Sequence, residues 1–283
     1  MDMECFFSLE DFLSSKAKSI SIFEENENEL QWKICIIVDK KDVLAIKNYV
    51  VSHTDKIFEK EINPHENWLK KTYKHFPPIY IGSFCIYGSH TGKNVNKATY
   101  NLCIDAATAF GSGEHSTTQG CLLSMERLKE KKSNVDKVLD LGCGSGILAF
   151  AAKLLWKDSQ VWACDNDKEA VYVAQKYSKM NKNETFIFLS DGFESNFLYG
   201  KTFDIIIANI LANPLISLAQ QVKEHTKIGG SLILSGILES QIDAIYKTYV
   251  DVGFKLVDKK IINGWATLSF ELPEGEGSFH LHN

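Results

Sequence analysis

"KVLDLGCGSGILAFAA", residues 137–152, decides the fold. Lys137 to Leu141 form a nearly continuous apolar run, the pattern of a strand buried on both faces. Gly142, Gly144 and Gly146 follow at once, and apolar residues at helical spacing begin at Ile147. Strand, glycine turn and helix make the first half of a βαβ unit. The same cycle repeats downstream: "QVWACD" (160–165) then "DKEAVYVAQKYSKMN" (167–181), "TFIFLS" (185–190), "FDIIIANI" (203–210) then "NPLISLAQQVKEHT" (213–226), and "GGSLILSGI" (229–237) then "SQIDAIYKTYVDV" (240–252). "FKLVDKK" (254–260) and "GWATLSFEL" (264–272) read as two last strands with a turn at Asn263-Gly264. The alternation predicts an α/β, doubly wound parallel sheet with helices on both faces, binding its ligand at the carboxyl ends of the strands.

Three strand ends then carry the chemistry: those after "VLDL", "WACD" and "IIAN". In the first, glycine lets the backbone approach a ligand without a β-carbon in the way. Gly144, Gly146 and Ala149 also fit the dinucleotide spacing G-x-G-x-x-[GA]. Asp165, at the end of the next strand, is placed to accept hydrogen bonds from both hydroxyls of a ribose. These features indicate an adenosine-type cofactor and leave open nicotinamide dinucleotide and S-adenosylmethionine. Asp140 beside the loop tips the balance modestly, since a carboxylate is tolerable near a sulfonium and repels a pyrophosphate.

"IIANILANPL" (206–215) discriminates further. Asn209 followed by Ile210 places a side-chain carbonyl and adjacent backbone carbonyls at the active edge. Methyl transfer to nitrogen needs such acceptors, to aim the lone pair and to stabilise the positive charge that grows on the amine. The alternative is that Asn209 merely caps the next helix. "DAATAFGSGEHSTTQG" (105–120) puts two glycines, Glu114, His115 and three consecutive hydroxyl residues at the start of a helix, with Ser116 or Thr117 as the expected N-cap.

"AFGSGEHSTT", "VLDLGCGSGILAFAA", "ACDNDKEAV", "ANILANPL" and "GGSLILSGIL", in this order, resemble the bacterial ribosomal protein L-eleven methyltransferases of the PrmA type. These are class I S-adenosylmethionine-dependent methyltransferases. The resemblance spans about three quarters of the chain, from "NWLKKTYKHFPPIYIG" to "GWATLSF", and its most specific part is "AFGSGEHSTT" together with "NILANPL". It implies a seven-stranded, Rossmann-like methyltransferase domain preceded by a small α+β substrate-recognition domain. It implies S-adenosylmethionine as cofactor, S-adenosylhomocysteine as product, and methylation of lysine ε-amines and the N-terminal α-amine of one ribosomal protein, taken free rather than on the ribosome. Carried over residue by residue, cofactor contacts fall on Thr118, Gly142, Asp165 and Asn209, with Thr117, Gly144, Phe110 and Gly111 beside them. Asn209 and Ile210 are the catalytic candidates, and His115 is a candidate base whose alternative role is to fix the loop by hydrogen bonds. Ser112 and Ser116 depart mildly from the family's usual residues. A related family methylates lysines of other proteins with the same motifs, and a dinucleotide-dependent oxidoreductase or a non-catalytic binding module are the readings from other classes.

Upstream, "KICIIV" (33–38) reads as a strand, "KKDVLAIKNYVV" (40–51) as a helix and "KIFEKEI" (56–62) as a second strand, with "ENENE" (25–29) an acidic loop. The expected division is therefore 1–60 as the small domain, 61–76 as a linker in which a short helix breaks at Pro77-Pro78, and 77–283 as the catalytic domain. "PIYIGSFCIYG" (78–88) reads as two short strands joined at Gly82-Ser83. At 283 residues, 45% of them hydrophobic, the chain can bury a full core. Its net charge of −5 argues against a general nucleic-acid binder and suits a basic protein partner. The seven cysteines are scattered, never as C-x-x-C, which predicts reduced core residues and no metal site. No apolar run spans a bilayer and the N-terminus carries acids rather than bases, so a cytoplasmic protein, expected to be monomeric, is predicted. His280 and His282 lie in a polar tail and make no metal site.

Overall fold

A computed structural model describes residues 17–26, 31–38, 41–51, 77–91, 98–105 and 115–274. The chain separates into two compact units, residues 1–66 and 67–283. In the first, β1 (Ala17–Asn26) pairs antiparallel with β2 (Gln31–Val38), Ile20 opposite Ile36 and Ile22 opposite Ile34, and α1 (Val43–Val51) follows. Strand β2 and the helix follow the sequence pattern. Strand β1 was not read from it, although Ser19-Ile20-Ser21-Ile22 alternates with the two-residue period of a half-covered strand. The expected strand at 56–62 and the linker at 61–76 lie outside the described residues.

The second unit begins with β3 (Ile79–Ile81) and β4 (Phe84–Tyr87), antiparallel across Gly82-Ser83, and β5 (Tyr100–Cys103), parallel to β4. The end of β5 is tied down by α4 (Lys168–Met180) and the residue beyond it. Asn181 accepts from the Cys103 N–H at 2.7 Å and donates to the Cys103 carbonyl at 2.9 Å, as a neighbouring strand would. The Tyr177 hydroxyl accepts from the Asp105 N–H and donates to the Asp105 carbonyl, both at 3.2 Å.

The main sheet runs β8-β7-β6-β9-β10-β12-β11. Its strands are β6 (Lys137–Leu141), β7 (Gln160–Asp165), β8 (Thr185–Leu189), β9 (Phe203–Asn209), β10 (Thr226–Leu238), β11 (Lys255–Ile262) and β12 (Trp265–Glu271). Only β12 runs against its neighbours. Asn263 and Gly264 both have positive φ, 48° and 77°, as the tight turn before it requires. The helices are α2 (Ser116–Lys131), α3 (Ile147–Leu155), α4, α5 (Ala212–His225) and α6 (Ile242–Asp251). This is the expected α/β, seven-stranded class I architecture.

Strands β6 and β9 are largely apolar because both faces are covered. Val138, Ile205 and Ile207 pack with α2 and α3 residues such as Leu122, Met125 and Phe150. Leu139, Leu141, Ile206 and Ala208 pack on the other face with Leu215, Tyr249 and Phe270. Chain order reverses between β6 and β9, so a crevice opens at their carboxyl ends. Leu141 lies beside Ala208 in the sheet, which brings Gly142 and Asn209 to the same point on the edge.

Candidate active site

The glycine loop is folded back on β7. The Gly142 and Cys143 N–H groups donate to the Cys164 carbonyl at 2.8 and 2.9 Å, and the Gly144 N–H donates to Asp165 Oδ2 at 2.9 Å. Asp165 Oδ1 also accepts from the Asp167 N–H at 3.0 Å. Each carboxylate oxygen keeps a second lone pair, so the group that fixes the loop can still accept from a diol. Asp165 and Gly144 are thus joined, as the spacing of about twenty residues between them suggested.

Beneath the loop lies Asp140, fully buried, with Oδ2 accepting from the Ala149 N–H at 2.9 Å in the first turn of α3 and Oδ1 without a partner. Burial pushes its carboxyl up to about 7. The Ala149 N–H pulls the other way, and Asp165 nearby adds to the rise. Thr118 Oγ1 on α2 and Asn209 Oδ1 at the end of β9 are also buried without a partner, as are Thr91 Oγ1 and Ser124 Oγ elsewhere in the unit. Buried polar atoms are ordinarily paired, and leaving one unpaired costs about 1–3 kcal/mol. A ligand carrying an ammonium donor, a carboxylate and a ribose supplies what Asp140, Thr118 and Asn209 lack, and S-adenosylmethionine carries all three. The residues present therefore fit that cofactor.

Asn209 does not cap α5. The N-cap is Leu211, in extended conformation with no side-chain hydrogen bond, and Pro214 is the third residue of the helix. A proline is tolerated there because the N–H it lacks has no partner within the helix. Asn209 Oδ1 thus stays available at the edge, followed by half-buried Ile210 and exposed Leu211.

The N-cap of α2 is His115, not Ser116 or Thr117 as expected. Its backbone is extended, and its Nδ1 accepts from the Thr117 N–H at 3.4 Å and lies 2.8 Å from Thr117 Oγ1. An imidazole nitrogen does here what a hydroxyl does elsewhere. Ser116 Oγ instead accepts from Asn263 Nδ2 at 3.2 Å, and the His115 ring meets Trp265 edge-on at 4.8 Å. The turn between β11 and β12 is thereby attached to the start of α2. Burial lowers the His115 pKa, so the imidazole is neutral at pH 7. Phe110, Gly111 and Glu114 lie outside the described residues.

Sequence reasoning overlooked the far wall of the site. Ser235, beside Asn209 in the sheet, is fully buried and donates to the Ala266 carbonyl at 3.0 Å, with Thr267 Oγ1 at 2.9 Å. A glycine inside a strand, Gly236, was the signal that something is unusual there. The cysteines Cys85, Cys121, Cys143 and Cys164 are buried and free, as expected, and Cys103 is half-buried. Burial pushes the Cys164 thiol up to about 12, so it is no nucleophile at pH 7. Among the described residues no cluster of His, Cys, Asp and Glu is placed to hold a metal, and no helix is long and apolar enough to cross a membrane.

Residues 8–273 match the protein family described as Ribosomal protein L11 methyltransferase (PrmA). A Ribosomal protein L11 methyltransferase of Caulobacter sp. (strain K31) is 35% identical over 256 residues, covering 89% of this chain and 88% of the relative. One from Rhizobium etli is 34% identical over 275 residues, covering 94% and 91%. The crystal structure of a ribosomal protein L11 methylase from Lactobacillus delbrueckii subsp. bulgaricus superposes with a TM-score of 0.63 at 28% identity, over 70% of this chain and all of that one.

Proposed function

The chain belongs to the ribosomal protein L11 methyltransferase family, and on that premise we propose that it transfers methyl groups from S-adenosylmethionine to lysine ε-amines and the N-terminal α-amine of ribosomal protein L11. It is an S-adenosylmethionine-dependent protein methyltransferase, and S-adenosylhomocysteine is the second product. Family membership sets aside the oxidoreductase and binding-module readings. The free ribosomal protein is the substrate we favour, because the amines must enter a crevice at a sheet edge, and the net charge of −5 complements a basic protein. No nucleic acid is needed for that encounter, and we assign a monomeric, cytoplasmic enzyme. The first unit, residues 1–66, is assigned to substrate recognition; a linker over residues 61–76 would straddle the boundary after Glu66.

When bound, S-adenosylmethionine supplies an electrophilic methyl group on a sulfonium. Asp165 takes the ribose hydroxyls while Gly142 and Gly144 let the main chain close on the cofactor, with Phe110 and Gly111 assigned to the same pocket. Thr118, with Thr117 behind it, offers a hydroxyl at the positive end of α2, which favours the methionine carboxylate. Asn209 Oδ1 and the Ile210 carbonyl accept hydrogen bonds from the incoming amine, hold its lone pair in line with the methyl, and stabilise the charge that develops on nitrogen.

A free lysine, pKa about 10.4, is neutral in roughly one molecule in a few thousand at pH 7, so the incoming ammonium must also give up a proton. We assign that step to water at the crevice and give His115 the fixing of α2, because its Nδ1 is engaged with Thr117. The observation that carries the reading is the buried, unpartnered Asn209 Oδ1 one residue beyond the Leu141–Ala208 pair at the head of the glycine loop. Its test is Asn209→Ala: turnover on ribosomal protein L11 should fall at least about a hundredfold while the S-adenosylmethionine dissociation constant changes far less. Near-normal turnover would remove the assigned role.

A further inference from the structure

Ile210 is held between two glycines. On one side Gly142, with φ +73°, faces the Ile210 side chain, and a β-carbon there would collide with Cγ2. On the other side Gly236, with φ +81°, faces the Ile210 main chain. A β-carbon at 236 would overlap the Ile210 carbonyl oxygen and lie 2.7 Å from the carbonyl carbon and 3.2 Å from the amide nitrogen. These are backbone atoms, which cannot swing aside as a side chain can.

The reason Gly236 turns this way is a bulge in β10. Pairing with β12 goes from Leu234 opposite Leu268 directly to Ile237 opposite Ala266, so Ser235 and Gly236 together face Thr267. Such a bulge bends its strand and re-aims what it carries, and a glycine at positive φ is one of the means by which it does so. Ser235 anchors the bulge through its hydrogen bonds to Ala266 and Thr267 while pairing with Asn209 on β9.

We propose that Gly236 is a positioning residue for methyl transfer. Its bare α-carbon lets the Ile210–Leu211 peptide, which carries the Ile210 carbonyl, seat against β10, so the place of the acceptor carbonyl is set by β10 and β12, not by β9 alone. The proposal rests on the assignment of Asn209 and Ile210 as acceptors for the amine. Any side chain at 236 displaces that peptide, and a shift of about 1 Å at reacting groups costs on the order of a hundredfold in rate.

The test compares Gly236→Ala with Gly200→Ala, a glycine at φ +65° with nothing near the position of its missing β-carbon. Gly200→Ala imposes a similar backbone strain without the contact. With ribosomal protein L11 as acceptor, Gly236→Ala should lower kcat about a hundredfold while calorimetry shows S-adenosylmethionine affinity within about threefold of wild type; Gly200→Ala should keep both. Ser235→Ala loosens the bulge without adding an atom and should lower kcat about tenfold at unchanged cofactor affinity, so it decides the matter if Gly236→Ala fails to fold. A Gly236→Ala enzyme with wild-type kcat, losses that track cofactor affinity, or an unfolded Gly236→Ala beside a fully active Ser235→Ala would each overturn the proposal. An inactive wild type would overturn the functional reading and this role with it, whereas an active wild type with an equally active Gly236→Ala would overturn this role alone.

Discussion

Replacing Asp140 by Asn should stabilise the cofactor-free protein at high pH and weaken its hold on the cofactor. The carboxyl is raised from 3.8 to about 7, chiefly by burial. For an acid raised in the folded state the sign is destabilising: the native protein binds the proton more tightly than the unfolded chain. The penalty is absent below the unfolded pKa, grows as pH rises between about 4 and 7, and is constant above. About three pH units at about 1.4 kcal/mol each make the full penalty about 4 kcal/mol, an upper value. Asparagine removes it and can keep the bond from the Ala149 N–H. It also puts an NH2 donor where Oδ1 has no partner, at a cost of about 1–3 kcal/mol.

The net expectation is that Asp140→Asn is more stable than wild type by about 1–3 kcal/mol at pH 8 and roughly equal to it at pH 5. For a unit of this size that is a gap in Tm of about 3–10 °C which opens with pH. Thermal melts of both proteins at the two pH values, without cofactor, measure it. The lowered His115 pKa acts alike in both proteins and cancels in the difference. A Tm gap that stays constant from pH 5 to pH 8 would refute the argument, because it would mean that Asp140 is ionised throughout. The functional counterpart is that wild type binds the cationic cofactor more tightly as pH rises through about 7, and Asp140→Asn does not.

Three further substitutions separate the remaining roles. Asp165→Ala removes charged acceptors worth about 1.5–3 kcal/mol, so calorimetry should show S-adenosylmethionine binding at least about tenfold weaker; unchanged affinity would contradict the ribose assignment. Thr118→Val keeps the shape and deletes a hydroxyl that has no partner in the structure, so the free protein should melt at the same temperature or higher while cofactor affinity falls; a lower Tm would mean the hydroxyl is already paired. His115→Ala should cost about 1 kcal/mol as a lost cap and less than about tenfold in kcat. A loss of 10²–10⁴, about what a general base contributes, with a shifted pH profile would instead make His115 the base.

The fold was legible because strands buried on both faces, such as "FDIIIAN", cannot be mistaken for surface segments, and because polar or glycine residues mark where they end, Gly142 after β6, Asp165 on β7 and Asn209 on β9. The junction of the glycine loop with β7 was legible for the same reason: Gly144 and Asp165 belong to consecutive strand ends, and their hydrogen bond follows from topology. What depends on contacts between distant segments was not. Nothing local in "GEHSTT" says that an imidazole outcompetes three hydroxyls as the cap, since the choice is fixed by Trp265 and Asn263, about 150 residues away. The bulge at Ser235-Gly236 is equally non-local, defined by what lies opposite on β12. Strand β1 escaped notice because its polar residues, Ser19 and Ser21 and then Glu24 and Glu25, hide a short alternation beside an acidic run.

The most direct test is intact-mass analysis of purified ribosomal protein L11 after incubation with this enzyme and S-adenosylmethionine. The account predicts mass added in whole methylene steps, with S-adenosylhomocysteine released in equal amount and both formed at least about a hundredfold more slowly by Asn209→Ala. Unmodified ribosomal protein beside an enzyme that binds S-adenosylmethionine normally would contradict it.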